Sequence, residues 1–326
     1  MDDRSAIARL YRAFADEARP SSPCFTEWAS RVAEDSEVLT WLAGLPSAKR
    51  QPNLVFAAAR AAGAIAPGPD DAFRSVLLGI ARVRALILTR STQTNEVGRL
   101  AVLVPALSQV ADRAGRPVAL LELGASAGLC LHPDRYDYVW RPAGALTGSG
   151  GPTLGCSVRG PVPVPSAHLR VGWRGGIDLN PLDVRDEDDT AWLRTLVWPE
   201  QEERRRRLDA AVAVARREPP SIVRADLLAA LEGEVERARH FGPVIVFHSA
   251  VLAYVGAAER HEFVTLMQDL VSRGACHWVS NEGDRVLPEV TCTAAVRGGP
   301  DERFVLGLDG RAVAWAQGHG ASMTWL

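Results

Sequence analysis

The chain changes its hydrophobic rhythm once, near residue 115. Before that point apolar residues recur three and four apart, as in Ile7, Leu10, Tyr11 and Phe14, then Phe25, Trp28 and Val32, then Val38, Leu39, Trp41 and Leu42. That spacing lines one face of an α-helix. Gly44 and Pro46 punctuate the second run, Pro52 opens a helix over 53–62, and Gly63 with Pro67-Gly68-Pro69 stops it. A fourth helix is predicted over 72–88 and a fifth over 97–114, closed by Gly115 and Pro117. No strand pattern interrupts residues 1–115, which read as an all-helical cap or accessory domain.

Beyond residue 116 short apolar runs alternate with helical stretches. Strands are predicted near residues 120, 174, 223, 246 and 278, separated by helices over 192–217 (interrupted at Pro199), 227–239 and 259–273. Such alternation builds a parallel sheet with helices on both faces. Three closing strands, 304–308, 312–316 and 322–325, follow with a hairpin turn at Asp309-Gly310. Tyr136, Tyr138 and Trp140 alternate at strand period, and a Gly/Pro-rich tract then carries Cys156-Ser157-Val158-Arg159, so residues 132–168 read as an insertion. The fold expected is α/β: a Rossmann-like, mostly parallel sheet over 116–326 with an N-terminal all-helical domain.

The most specific stretch is the first strand, Val118 to Leu123, running into a glycine turn and an expected helix. Glu122 stands at its carboxyl end, and Gly124 and Gly128 flank a turn where backbone can approach a ligand closely. A dinucleotide turn is written Gly-x-Gly-x-x-Gly. The pattern here, Glu122-x-Gly124-x-Ser126-x-Gly128, instead resembles the first motif of S-adenosylmethionine-dependent methyltransferases, with serine in place of the middle glycine.

Further candidates stand at other predicted strand ends, where open α/β sheets bind ligands. Asp178 suits the ribose hydroxyls and Asp226 an adenine amino group, although either acid equally suits a helix cap. His248 is a candidate base, with Glu282 beside it on the rim, and Ser249 and Asn281 face an acceptor. Between the last two N-terminal helices, Arg90 to Glu96 is an unbroken polar run. Its Gln93, Thr94, Asn95 and Glu96 are candidates for lining a substrate, with Thr94 or Asn95 also suited to capping.

Composition narrows the class. With 326 residues, 47% hydrophobic content and a net charge of -2, the chain has ample core and no general field for nucleic acid or an anionic membrane. The five cysteines are widely spaced and never form Cys-x-x-Cys, so neither a metal site nor a disulfide framework is expected, and a cytoplasmic location fits. The run Arg204 to Arg207 is balanced by neighbouring acids and reads as a solvated helix face.

Six stretches in order resemble one bacterial family. They are Arg90 to Arg99, Leu121 to Leu129, Asp134-Arg135-Tyr136, Gly176 to Pro181, Val197-Trp198-Pro199-Glu200, and Trp278 to Gly283. Together they are similar to the domain of unknown function 2332, over nearly the whole chain. The resemblance implies a methyltransferase-like Rossmann fold with a helical N-terminal part, and no established reaction. The expected function is an S-adenosylmethionine-dependent methyltransferase acting on a small molecule, with a non-catalytic binding or interaction module of the same fold as the alternative. A hydrolase built on Ser249 and His248 is disfavoured, because the two are sequence neighbours and no Gly-x-Ser-x-Gly elbow surrounds the serine.

Overall fold

A computed structural model describes residues 3–93 and 95–326. The N-terminal helices are α1 (Asp3–Ala18), α2 (Pro23–Val32), α3 (Ser36–Ala43), α4 (Pro52–Ala61), α5 (Asp70–Gly79), α6 (Ala81–Thr89) and α7 (Leu100–Ala114). Their starts follow from capping chemistry. Ser22 accepts from the amide of Phe25 ahead of Pro23, and Asp35 accepts from those of Glu37 and Val38. The single helix expected over 72–88 is two helices, because Gly79 weakens the middle and Ile80 takes an extended backbone (φ -111°, ψ 107°). Gly115, in the left-handed region, closes α7.

The chain continues through β1 (Val118–Leu123), β2 (Asp137–Arg141), β3 (Gly144–Leu146), β4 (Thr153–Arg159), β5 (Val171–Asp178), α8 (Glu187–Leu196), α9 (Glu202–Arg217) and β6 (Ser221–Arg224). It ends with α10 (Leu227–Arg239), β7 (Val244–Ser249), α11 (Ala257–Ser272), β8 (His277–Gly283), α12 (Pro288–Thr291), β9 (Phe304–Leu308), β10 (Arg311–Ala316) and β11 (Ser322–Trp325). Two compact units result: Met1–Thr94 with Arg185–Leu208, and Asn95–Val184 with Asp209–Leu326. Helix α7 belongs to the second.

An aromatic cluster forms the core of the first unit. Trp28 stacks on Phe73 at 4.5 Å between ring centres and meets Phe56 edge-on at 5.6 Å, while Phe14 and Phe25 both approach Trp198. The stretch Val197-Trp198-Pro199-Glu200 thereby fastens the returning segment to this core. The Trp198 indole donates to Asn53 Oδ1 (2.9 Å), and Glu200 accepts from the Ser22 hydroxyl and from the Cys24 amide (2.9 Å) at the start of α2. Arg60 adds a donor to the carbonyls of Thr195 and Val197. Arg90 pairs with Asp189, and the indole of Trp192 donates to the Ser91 carbonyl.

The second unit is built on an eleven-stranded mixed sheet in the order β3-β2-β4-β11-β10-β9-β8-β7-β1-β5-β6. Strands β6, β5, β1, β7 and β8 are mutually parallel, whereas β9 runs antiparallel to β8 and β10 antiparallel to β9. All six residues of β1 are buried, as a central strand covered on both faces must be. Side chains alternate between faces. Ala119, Leu121 and Leu123 share a buried core with Leu231 and Val235 of α10 and Phe263 and Met267 of α11, the larger side chains contributing about 1.5–3 kcal/mol each. The opposite face, carrying Leu120 and Glu122, is the one on which α7 packs, against β8, β9, β2 and β4.

The expected α/β class and mostly parallel sheet are present, and no strand occurs among the described residues before Val118. The insertion is not a separate hairpin: β2 pairs with β3 and β4, and β4 pairs with β11, so it extends the same sheet. The helix expected after the glycine turn does not form. Two 3-10 turns, Leu129–Leu131 and Pro133–Arg135, follow Gly128 instead, because Pro133 holds its predecessor His132 out of the helical region (φ -115°, ψ 44°). All five cysteines are free, and no helix among the described residues is long and apolar enough to cross a membrane.

Candidate functional site

Numbered by their order in the chain, the parallel strands lie 3-2-1-4-5, and the order reverses between β1 and β7. In open α/β sheets, ligands bind beyond the carboxyl ends of the strands at such a reversal. Backbone strain gathers at that edge. Only three described non-glycine residues have positive φ, and two of them stand here: Ser126 (52°) after β1 and Ala250 (57°) after β7.

The glycine turn is braced on both sides. Gly124 (φ 66°) donates to the Ile177 carbonyl of β5 at 2.8 Å, and a Cβ added there would meet Val251 Cγ2 at 2.5 Å. Gly128 (φ 69°) likewise leaves no room, with Pro220 Cγ at 2.4 Å from a built Cβ. The Asn95 side chain clamps the turn, accepting from the Leu129 amide (2.8 Å) and donating to the Ala125 carbonyl (3.3 Å). Asp178, at the end of β5, accepts the Ser126 amide on one oxygen (2.8 Å) and the Asn180 amide on the other (2.7 Å).

Glu122 lies under this turn at 6% exposure, and its Oε2 finds no hydrogen-bond partner. Burial raises its pKa well above the ordinary carboxyl value, and the charge of Asp178 adds to the rise, while Arg99 opposes it. Arg99, which sequence reading missed, donates through Nε to the Gly318 carbonyl (2.9 Å) and through Nη1 to that of Ser249 (3.1 Å). Buried Glu96 accepts the Gly98 amide at 3.0 Å, fixing the entry to α7.

On β7 and β8, parity separates two clusters. Ser249 and Asn281 are neighbours in register on the face carrying Glu122, one pleat further out, with Asn281 Nδ2 donating to Ser249 Oγ at 2.9 Å. His248 and Glu282 lie on the α10/α11 face. The indole of Trp278 donates to His248 Nε2 (3.0 Å), so Nδ1 carries the proton and donates to Glu282 Oε1 (2.7 Å). That oxygen also accepts the Val251 (3.0 Å) and Leu252 (3.3 Å) amides. With both ring nitrogens engaged and no exposure, His248 has none left to take a proton from an acceptor.

The other expected residues are dispersed. Gln93 lies in the helical unit and Thr94 lies outside the described residues. Asp226 is exposed and caps α10 by accepting the amides of Leu228 (2.9 Å) and Ala229 (3.2 Å). No group of three or more His, Cys, Asp or Glu among the described residues is arranged for a metal ion.

Behind the turn, His132 is fully buried with both ring nitrogens unpartnered. Burial and the neighbouring Arg174 push its pKa down from 6.5 to about 4. As pH falls, the unfolded chain therefore takes up the proton first. The stability that His132 contributes is intact above pH 6.5 and is lost progressively down to about pH 4. At ~1.4 kcal/mol per pH unit, the total loss is on the order of 3 kcal/mol. Urea unfolding of wild type and His132→Leu at pH 7.5 and 4.5 should show the variant losing distinctly less stability on acidification, whereas equal losses would contradict the neutral buried ring.

Compared with known proteins, the chain has no match among curated proteins and none among solved structures. One family does match, described as "Uncharacterized protein conserved in bacteria (DUF2332)", over residues 8–325. Nearly the full chain is covered, including the braced glycine turn, its Asn95 clamp and the rim of β7 and β8. The protein belongs to this bacterial family.

Proposed function

We propose that the carboxyl edge of the sheet binds S-adenosylmethionine and that the protein is a methyltransferase of Rossmann type acting on a small molecule. One observation carries the reading: the strained turn from Glu122 to Gly128 is tied through the Ser126 amide to Asp178, at the carboxyl end of the adjacent strand. The parallel order 3-2-1-4-5, with its reversal at β1 and β7, supports it. The cofactor would supply an activated methyl group on a sulfonium. Gly124 lets Val251 pack against the turn, and Asp178, at the carboxyl end of the adjacent strand, would be the acceptor for the ribose hydroxyls. Asp226, spent on its helix cap, reaches the adenine only through its second oxygen. His248 and Glu282 hold the Val251 turn against Gly124 rather than moving protons.

A non-catalytic binding module of the same fold is the second reading. Two observations favour it: Ser126 puts a side chain into the turn, and no α-helix N-terminus follows to receive anionic groups. Calorimetric titration with S-adenosylmethionine and S-adenosylhomocysteine decides first whether the pocket exists. Micromolar binding is expected, weakened at least about tenfold (~1.4 kcal/mol) in Asp178→Asn. Absence of heat from folded, ligand-free protein with either compound would remove the methyltransferase.

A further inference from the structure

The rim facing α7 holds polar atoms that the fold leaves without partners. Glu122 Oε2, Ser126 Oγ and Asn281 Oδ1 are buried with no hydrogen bond, on residues only 6%, 5% and 1% exposed. An unsatisfied buried acceptor is costly, so three along the carboxyl edge of the sheet are a standing penalty unless something donates to them. Nearby donors go elsewhere: Asn281 Nδ2 to Ser249, the Ser126 amide to Asp178, and Arg99 Nε and Nη1 to two carbonyls.

We infer that this rim binds a protonated primary amine on the ligand, with Glu122, Ser126 and Asn281 as its hydrogen-bond acceptors. An alkylammonium carries three N–H donors and no acceptor, which matches three acceptors; a neutral amide nitrogen offers only two donors. The charged groups acting on Glu122 are Asp178 from β5 and Arg99 from the entry to α7, and the buried Cys130 thiol senses Glu122 in turn. Burial pushes the Glu122 carboxyl well above its ordinary value, and an arriving ammonium acts in the opposite direction, favouring the carboxylate and the release of a proton. The inference deepens the methyltransferase reading and rests on it only for the choice of the carboxyl edge as the ligand side. The amine can belong to the cofactor's amino acid part or to a separate substrate.

The experiment is calorimetry on the full chain at pH 7 in phosphate and in Tris, whose ionisation enthalpies differ, so that protons released on binding are counted. One arm titrates n-butylamine and 1,4-diaminobutane, with and without saturating S-adenosylhomocysteine. The other compares S-adenosylhomocysteine with its analogue in which hydrogen replaces the α-amino group. Expected is release of up to one proton by an amine-bearing ligand, with release lost and affinity down at least about tenfold in Glu122→Gln. Asn281→Ser serves as the second variant, with reduced affinity and retained release. Amine binding on top of saturating S-adenosylhomocysteine identifies a substrate amine, whereas a tenfold preference over the deaminated analogue identifies the cofactor's own. The inference is overturned if neither amine binds and the two adenosyl compounds bind alike without proton release, a result that leaves the methyltransferase reading standing. Amine binding by protein blind to both adenosyl compounds does the reverse.

Discussion

Arg174→Met is expected to destabilise the sheet-bearing unit by about 3–5 kcal/mol, the range for removing one partner of a buried ion pair. Arg174 is 7% exposed and grips Asp134 with both terminal nitrogens, at 2.7 and 2.8 Å, while also donating to the Leu131 carbonyl at 2.8 Å. The substitution leaves a carboxylate with 11% side-chain exposure to the more distant Arg135 alone, at 3.4 Å, and takes the side-chain donor from the Leu131 carbonyl. Both lie just after the glycine turn, in the stretch where a helix was expected and where this ion pair supplies the order instead. Urea unfolding followed by circular dichroism measures the loss. The double variant Arg174→Met with Asp134→Leu should recover most of it, because a buried pair replaced by apolar side chains is often neutral. A single-variant loss below about 1 kcal/mol would show that the pair is solvated like a surface pair.

The second large effect falls on the helical unit. Trp28→Ala should cost about 3–5 kcal/mol, since it empties the centre of a core that cannot close over an indole-sized void. Trp28 is fully buried, touches Phe25, Phe56 and Phe73, and donates its indole N–H to the Gly68 carbonyl at 2.9 Å. Hydrogen exchange resolved by segment is the measurement. Protection should fall in α2, α4 and α5 and in the 185–208 segment that Trp198 anchors, while β1 and β7 keep theirs. Uniform loss across both units would mean that they unfold together.

How much of this was legible beforehand depends on how local the cause is. Helix α10 and strand β7 follow the written pattern nearly residue for residue, because Asp226 caps one and an unbroken apolar run makes the other. The turn around Gly124 was legible because left-handed backbone leaves a glycine signature. Its clamp, Asn95, was legible only as a polar residue in a suspicious run, since no sequence rule says that it bonds Leu129, 34 residues on. Gly79 and Pro133 stand in the sequence as breakers, but the strong apolar periodicity around them masks their effect. The partners of His248 could not be read at all. A lone histidine at a strand end looks like a base until Trp278 and Glu282, brought in by β8, occupy its two nitrogens.

The pairing of β11 with β4 has a consequence for synthesis. On the ribosome, β4 is complete at residue 159, but the strand that covers its edge, 322–325, emerges some 160 residues later, roughly ten to thirty seconds at ordinary elongation rates. Through that interval the edge of β4 that β11 later covers stays bare, a template for pairing with another nascent chain. The segment carries its own deterrent: the residues of β4 alternate buried and exposed, and Arg141 and Arg159 stand at the ends of β2 and β4. Charges at those ends discourage intermolecular strand addition until the late strand arrives.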